Sequence, residues 1–232
     1  MNPSAASSRL ARLFEGFAPG EPDRLLAAGV PRVLRRGEAL FREGEPAEAL
    51  FLVEAGRIKL TQLTPEGQEV VMRYLAPGDV FAAVALFEGS AYPVTAQATE
   101  RTRVRGWPRA VLGSLVREHP RLEPNLLRIV SSHTREALSR VRELATETVA
   151  RRLARTLLRL GQQIGEKDGD GSVRLERITQ QEIAGITGTT LYTVSRTLAE
   201  WEGQGLVETG RQRLRIRDAA RLRDVAEGAP DS

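Results

Sequence analysis

The sequence contains no cysteine, and this absence removes several classes of site at once. It excludes disulfides, thiolate nucleophiles, and iron–sulfur or zinc sites that need cysteine ligands. Histidine is scarce as well, because His119 and His133 are the 2 imidazoles of the chain. The sequence has no run of about eighteen apolar residues without a charged residue, and Met1 to Ser8 lacks an apolar segment of signal-peptide length. We therefore expect a cytoplasmic protein with no membrane contact and no metal site.

Charged residues are plentiful but nearly balanced, with 34 basic and 30 acidic side chains. Almost all of the basic residues are arginine. The excess of positive charge is shared equally by the parts of the chain before and after Glu147. Net charge alone therefore indicates no partner, and a nucleic-acid site has to be recognised from the placement of particular arginines.

Short apolar segments separated by turn residues fill the chain from about Val33 to Arg105. The predicted strands are Leu40-Phe41, Ala49 to Glu54, Arg57 to Leu63, Glu69 to Leu75, Val94 to Ala98 and Arg103 to Trp107. Glycine and proline recur between them at roughly the 8–12-residue spacing of an antiparallel roll. The sequence predicts a jelly-roll-like β-roll sensor domain over residues 1–118.

A long helical pattern follows, from about Leu122 to Leu160, with no glycine and with Pro124 near its beginning. Apolar or small residues recur along it at steps of three and four, at Leu126, Val130, His133, Ala137, Val141 and Leu144. This stripe predicts a dimerisation helix over residues 119–147. The alternative is an amphipathic helix that packs on its own β-domain.

The C-terminal part, residues 148–232, has the pattern of a winged helix-turn-helix. Thr179 and Glu182 fit a capping box that begins one helix, Gly188 permits a tight turn, and Thr189 or Thr190 caps a second helix. The second helix buries Val194, Leu198 and Trp201. The tail from Ala226 to Ser232 is predicted to fray.

Arg196 on the outward face of the second helix is suited to pair with guanine O6 and N7. A hairpin over residues 205–217 alternates arginine with apolar residues, which is typical of a wing whose arginines bind phosphates. The candidate contacts to double-stranded DNA are Thr179, Gln180, Gln181, Thr189, Thr190, Leu191, Tyr192, Thr193, Ser195, Arg196, Arg211 and Arg213. The alternative, a solvated Arg196 beside a charged edge strand, explains each feature singly but not their order.

The chain resembles the CRP/FNR family, the cAMP receptor protein and anaerobic-regulator group, from about Phe14 to Arg217. The helix-turn-helix of that family is similar to the segment ITQQEIAGITGTTLYTVSRTLAEWEGQGLV, and its β-roll to LFREGEPAEALFLVEAGRIKL with YLAPGDVFAAVALFEG. The resemblance implies an α+β homodimer joined by the long helix and bound to an inverted-repeat operator. It also implies an effector between the roll and that helix, and RNA polymerase as a partner.

Departures from the family pattern fall at the effector site. Members that bind cAMP use a Gly-Glu pair and an Arg-Ser pair for the ribose and cyclic phosphate, and a Thr-Ser pair for adenine. The matching positions, with one neighbour, form the candidate effector pocket: Ala82, Ala83, Tyr92, Pro93, Val94, Ala137 and Leu138. Because a buried phosphate needs its arginine, we expect an effector other than cAMP.

The recognition helix departs from the pattern as well. Tyr192 stands where members commonly place a glutamate, and Leu191 where cAMP-dependent members use arginine. Ser195 and Arg196 match the anaerobic-regulator type. We predict that Arg196 reads a guanine in a half-site that differs from TTGAT and TGTGA.

Three alternatives stay open at this point. Some members bind haem, and YPVTAQA is similar to regulators of the nitric-oxide-responsive branch, although a packed histidine is the more common role for His133. The second alternative is a regulator without an effector, whose activity depends on its own abundance in the cell. A cupin-like metal enzyme is the third, but both histidines follow the roll. We predict no catalytic residue and no cofactor.

Overall fold

The computed structural model describes residues 3–228, with side chains from residue 7 onward. The described chain forms two compact units, one of residues 3–63 and 73–137 and the other of residues 64–72 and 138–228. The predicted domain limits at 118 and 147 stay a prediction, and the ends of those domains, 1–2 and 229–232, lie outside the described residues. Within residues 3–228, no helix is both long and apolar enough to cross a membrane.

The first unit is an antiparallel β-roll flanked by helices. Its elements are α1 (Pro3–Leu13), α2 (Glu21–Ala27), β1 (Val30–Leu34), β2 (Ala39–Phe41), β3 (Ala49–Ala55), β4 (Ile58–Leu63), β5 (Glu69–Leu75), β6 (Val80–Phe81), α3 (Ala83–Glu88), β7 (Thr95–Ala98), β8 (Thr102–Pro108), α4 (Arg109–Glu118) and α5 (Leu122–Thr146). Two four-stranded sheets have the orders β1-β8-β3-β6 and β2-β7-β4-β5. The β5 strand and α5 both continue into the second unit.

An aromatic cluster forms the centre of the roll. Phe41, Phe51, Phe81 and Tyr92 are buried together, and the rings of Phe41 and Tyr92 stack at 3.7 Å. The cluster needs glycine at position 106, because a Cβ there would lie 2.9 Å from Cε1 of Phe51. Close packing of this kind fixes the register of β3 against β8.

A second apolar cluster holds the helices on the outside of the roll. Trp107 is fully buried and donates its indole N–H to the carbonyl of Leu25 at 2.8 Å. Asn125 of α5 donates to the carbonyls of Leu13 and Glu15. These bonds satisfy buried polar groups and anchor the first turns of α5 on α1.

The second unit contains the helix-turn-helix and a small sheet. Its further elements are α6 (Val149–Ile164), β9 (Glu166–Lys167), β10 (Val173–Glu176), α7 (Gln180–Thr187), α8 (Leu191–Gly203), β11 (Val207–Gly210), β12 (Arg213–Ile216) and α9 (Ala219–Glu227). The four strands pair in the order β11-β12-β10-β9, all antiparallel. Leu153, Leu157 and Leu160 of α6 are buried in the core of this unit.

The predicted strands of the roll and the long helix are confirmed almost residue for residue. The sequence pattern did not indicate β1, β6, β10 or the helices before residue 122, which are short or lack clear periodicity. The prediction that the tail from Ala226 is frayed is wrong for its described part, residues 226–228. Ala226 is buried within α9, because this face packs on α6, and residues 229–232 lie outside the described residues.

Candidate DNA interface and sensor cavity

The helix α7 begins at the capping box that the sequence predicts. The Thr179 hydroxyl accepts from the Glu182 amide at 3.1 Å, and the Glu182 carboxylate accepts from the Thr179 amide at 2.8 Å. The Thr179 hydroxyl also donates to the same carboxylate. Thr179 therefore has a capping role, whereas Gln180 and the exposed Gln181 lie at the positive end of the α7 dipole.

The turn between α7 and α8 depends on glycine. Gly188 has a φ of 69°, in the left-handed region that favours glycine. A Cβ at this position would also lie 2.7 Å from Cδ2 of Leu144. The helix that follows is capped by Thr190, whose hydroxyl accepts from the Thr193 amide at 3.2 Å. Of the two caps that the sequence allows, Thr190 is therefore the one used, and Thr189 belongs to the turn.

Helix α8 has a buried face and an exposed face. Val194, Leu198 and Trp201 are buried as predicted, and Thr197 joins them. The exposed face carries Leu191, Tyr192, Ser195 and Arg196, with Thr193 half-buried beside them. Tyr192 is 74 % exposed, and Arg196 forms no hydrogen bond or ion pair within residues 3–228. This face offers a planar cation and an aromatic hydroxyl to a ligand.

The wing is the hairpin of β11 and β12, but only part of its arginine row is unpaired. Arg215 forms an ion pair with Asp168 at 2.9 Å, and Arg217 forms one with Glu208 at 3.1 Å. Arg211 and Arg213 are exposed and have no acidic partner in the described part of the chain. The expectation that the arginines of the wing in general bind phosphates is therefore corrected for Arg215 and Arg217, whose charges are neutralised internally.

A cleft of about 160 Å³ lies between the wing and the beginning of α7. Thr179, Gln180, Gln212 and Arg213 line it. Backbone amides at the start of a helix together with an unpaired arginine are suited to bind an anion. The structure thus brings Thr179, Gln180 and Arg213 together at one cleft, whereas Gln181 and Arg211 do not line it.

The first unit contains a cavity of about 250 Å³, which we call the sensor cavity. Its walls include five of the seven predicted pocket residues, and Ile129, Val130 and His133 of α5 complete it. The predicted residues that line it are Ala82, Ala83, Tyr92, Pro93 and Val94. Ala82 adopts a φ of 70°, which is unusual for a residue with a side chain.

The prediction was wrong for Ala137 and Leu138, which do not line this cavity. The part of α5 that faces the cavity ends at His133, and both later residues are exposed to solvent. Ile129 was not predicted, since nothing local in the sequence distinguishes a cavity wall from ordinary core packing.

Three side chains form the polar end of the sensor cavity and its surroundings. Arg73 lines the cavity and forms an ion pair with Glu136 at 2.9 Å, while its Nε is buried with no hydrogen-bond partner among the described residues. Burial, with Arg73 as a second cause, lowers the pKa of His133 to about 4. His133 is therefore neutral near pH 7.

The other histidine has a structural role. Nδ1 of His119 lies 3.0 Å from Glu21, and its ring stacks on Phe17. A hydrogen bond from the Ala18 amide, followed by the contact with His119, lowers the pKa of Glu21. Among the described residues, no group of three or more histidine, aspartate or glutamate side chains is arranged to hold a metal ion.

The predicted dimer stripe on α5 needs a correction. Leu126 is 1 % exposed and packs in its own unit, so it is not on an outer surface. Val130 and His133 line the sensor cavity, and Leu144 lies against the turn at Gly188. Ala137, Val141 and Leu144 of the stripe are exposed. The side chains that point outward along the whole helix follow a face that shares only Val141 with the stripe, and we call it the α5 outer face. Its residues are Leu127, Thr134, Leu138, Val141 and Ala145.

Comparison with known families identifies both parts of the chain. Residues 31–119 match the cyclic nucleotide-binding domain, and residues 151–225 match the Crp-like helix-turn-helix domain. The two matches cover the roll and the DNA-binding unit separately, and the interval between them contains α5.

Relatives of similar length match along nearly the whole chain. A cyclic AMP receptor protein of Thermus thermophilus is 32 % identical over 216 residues, which cover 93 % of this chain and 97 % of that protein. A CRP-like cAMP-activated global transcriptional regulator of Mycobacterium tuberculosis is 30 % identical, with coverage of 91 % and 95 %. The structure of FixK2 from Bradyrhizobium japonicum superposes with a TM-score of 0.74 at 25 % identity, over 88 % of this chain and 99 % of that chain.

Proposed function

Because the chain belongs to the CRP/FNR family of transcription regulators, we propose that it acts as a homodimer on an inverted-repeat operator. Each protomer places α8 in the major groove, and the two helices enter successive grooves about 34 Å apart. A small molecule other than cAMP acts through the β-roll, and RNA polymerase is the partner on the promoter.

The observation that carries the proposal is the exposed face of α8. Arg196 projects from a helix that is fixed by the Thr190 cap and by four buried side chains, and its guanidinium has no partner in the described chain. A planar guanidinium held on a rigid helix can donate two parallel hydrogen bonds to guanine. Tyr192 and Ser195 flank it and contribute to the choice of neighbouring bases.

Phosphate contacts come from the residues around this face. Arg211 and Arg213 of the wing are unpaired, and the cleft at the beginning of α7 lies beside Arg213. Gln180, Gln181, Thr189 and Thr190 supply further donors to the sugar-phosphate chain. Such contacts fix the orientation of the head on the duplex without reading sequence.

The homodimer is supported by the α5 outer face. Its residues are spaced seven, four, three and four apart, which is the seam of a two-stranded coiled coil. Leu127, Leu138 and Val141 are exposed large apolar side chains on one helix, and a monomer would leave all three in water.

The choice of an effector other than cAMP is supported by the residues at the roll. The names of two relatives connect them to cAMP. In this chain, however, Tyr92 lies where those proteins' family uses an arginine for the cyclic phosphate, and its ring is buried against Phe41. His133 is the one imidazole that lines the sensor cavity, and haem is not part of the proposal.

The test compares three arginine variants on a selected operator and on random duplex. We expect Arg196→Ala to weaken operator binding by about 1–3 kcal/mol, which is roughly 5- to 150-fold, with little effect on random DNA. Arg213→Ala should weaken binding to both DNAs by the same factor, because phosphate contacts ignore sequence. Fluorescence anisotropy at fixed salt measures all of these affinities.

Arg217→Ala is the matched control, since this wing arginine is already paired with Glu208. It should bind like the unmodified protein. Equal losses on both DNAs for Arg196→Ala would contradict base reading by Arg196. Selection of a strict TGTGA palindrome from random sequences would contradict the predicted departure from the usual half-sites.

A further inference from the structure

The walls of the sensor cavity are almost entirely apolar. Among the described lining side chains, Arg73 and His133 alone carry polar groups that are not otherwise bonded within the core. The Tyr92 hydroxyl accepts from the amides of Glu48 and Ala49 and donates to the Ala49 carbonyl. It therefore has no hydrogen left for a ligand in the cavity. A polar, many-donor molecule would lose its bonds to water here without replacement.

In the described part of the chain, the one cation that lines the polar end of the cavity is compensated by its ion-pair partner. Arg73 is paired with Glu136 at 2.9 Å, and His133 is neutral near pH 7. An anion that enters the cavity therefore meets a cation that is already compensated, and the summed charge of the anion, Arg73 and Glu136 is negative. By contrast, the buried and unpartnered Nε–H of Arg73 can donate one hydrogen bond to an uncharged acceptor.

Size limits the ligand as well. A cavity of about 150 Å³ lined by leucine, isoleucine and phenylalanine accommodates benzene. By proportion, the sensor cavity of about 250 Å³ accommodates about ten non-hydrogen atoms, which is the size of a fused two-ring molecule.

We propose that the sensor cavity binds an uncharged, mostly apolar molecule of about two fused rings that offers one hydrogen-bond acceptor to Arg73. A cyclic nucleotide differs from this class in charge, size and number of polar groups. That the cavity binds such a molecule does not depend on the proposed function. That this molecule is the effector of DNA binding does rest on the proposed function.

The experiment uses three probes with the full chain. β-Naphthol is uncharged and of the right size, β-naphthoate adds a negative charge to the same ring system, and cAMP represents the nucleotides. Isothermal titration at neutral pH should give a Kd below about 1 mM for β-naphthol. Binding of β-naphthoate should be at least tenfold weaker, and cAMP should not compete with β-naphthol.

Glu136→Gln tests the charge argument directly. It leaves Arg73 without its compensating carboxylate, so the preference should shift by at least tenfold toward β-naphthoate while β-naphthol still binds. Retained binding of β-naphthol shows that this variant is folded. An unchanged preference would overturn the role assigned to the Arg73–Glu136 pair.

Val94→Phe tests the location, because its larger side chain occupies part of the cavity. It should weaken β-naphthol at least tenfold, whereas Val33→Phe, on an exposed position of β1, should have no effect. Equal binding by the two variants would place the probe elsewhere and overturn the site. Absence of β-naphthol binding up to about 1 mM, or tighter binding of cAMP, would overturn the ligand class.

These titrations contain no DNA, and the operator measurements contain no probe. Failure of the ligand class would therefore leave the DNA-binding function untouched. Failure of the DNA tests would leave the cavity as a binding site without its regulatory meaning.

Discussion

His133 connects the chemistry of the sensor cavity to the stability of the protein. Burial lowers its pKa to about 4, from 6.5 in the unfolded chain. The buried imidazole therefore resists protonation in the folded state, whereas the same imidazole in the unfolded chain does not. The unfolded state therefore binds an extra proton as the pH falls below about 6.5, and stability is lost progressively down to about pH 4.

We expect His133→Gln to remove this part of the acid sensitivity. At about pH 5 the histidine should cost the folded protein about 2 kcal/mol relative to neutral pH, a cost that glutamine does not carry. Urea unfolding of both proteins at about pH 7.5 and about pH 5 measures the difference. Buried Asp79, whose pKa is raised mainly by burial, titrates in both proteins and cancels in the comparison. Equal losses on acidification would contradict the lowered pKa.

Local chemistry allowed several site residues to be predicted from sequence. The Thr179–Glu182 capping box and the exposed position of Arg196 follow from rules that act within a few residues. The pairing of Arg215 with Asp168 was not predictable in this way, because its partner lies 47 positions earlier in a segment that has the composition of a loop. Long-range ion pairs of this kind decide which wing arginines stay available.

At the scale of elements, α5 is a helix with two apolar faces. Successive residues on a helix are about 100° apart, so a shift of one position selects a different side. The first half of the predicted stripe, Leu126 to His133, follows the face that packs within the chain, which was the alternative for this helix, whereas Ala137, Val141 and Leu144 are exposed. The α5 outer face begins one residue further on, at Leu127, and meets the stripe at Val141. Periodicity alone identifies a stripe but not what covers it.

The end of α5 is tied to α6 by a buried carboxylate. The Glu143 side chain is 6 % exposed, and both of its oxygens accept from Nη1 of Arg159, at 2.6 and 2.9 Å. Ser139 donates to the same group at 3.2 Å. Removal of the carboxylate would leave the Arg159 guanidinium partly buried and uncompensated.

We expect Glu143→Ala to lower the free energy of unfolding by about 2–4 kcal/mol, slightly less than a fully buried pair because Arg159 keeps some contact with water. Glu166→Ala is the comparison, since its pair with Arg174 is exposed to solvent and should contribute much less to the free energy of unfolding. Urea unfolding at neutral pH measures both. Similar decreases in the free energy of unfolding for the two variants would contradict the larger contribution assigned to the buried pair.

At the scale of the whole molecule, the order of a β-roll, a long helix and a winged helix-turn-helix was predictable because turn spacing and helix periodicity change along the chain. The four-stranded sheet of the second unit was harder to predict from the sequence. Its strands β9 and β10 are short, and they surround a glycine-rich loop that hides their pattern. Pairing with the wing, rather than propensity, makes them strands.

At the scale of the whole molecule, the proposed homodimer assigns the α5 outer face to the subunit interface. We expect Leu138→Asp to shift the protein from dimer toward the 25.5 kDa monomer and to weaken operator binding strongly, because a charge in the seam is costly. Leu63→Asp is a matched control, as both leucines are 64 % exposed. Light scattering during size-exclusion chromatography gives the mass. A dimer that survives Leu138→Asp would exclude this face as the seam.

The closing helix α9 has a practical consequence for gene design. Leu222 and Ala226 are buried, and Arg151 of α6 donates to the carbonyls of Ala226 and Glu227. A fragment meant to encode the DNA-binding head alone has to extend through Gly228. A stop codon before Ala219 would uncover the apolar side of α6, and the shortened product would aggregate instead of serving as a minimal reagent.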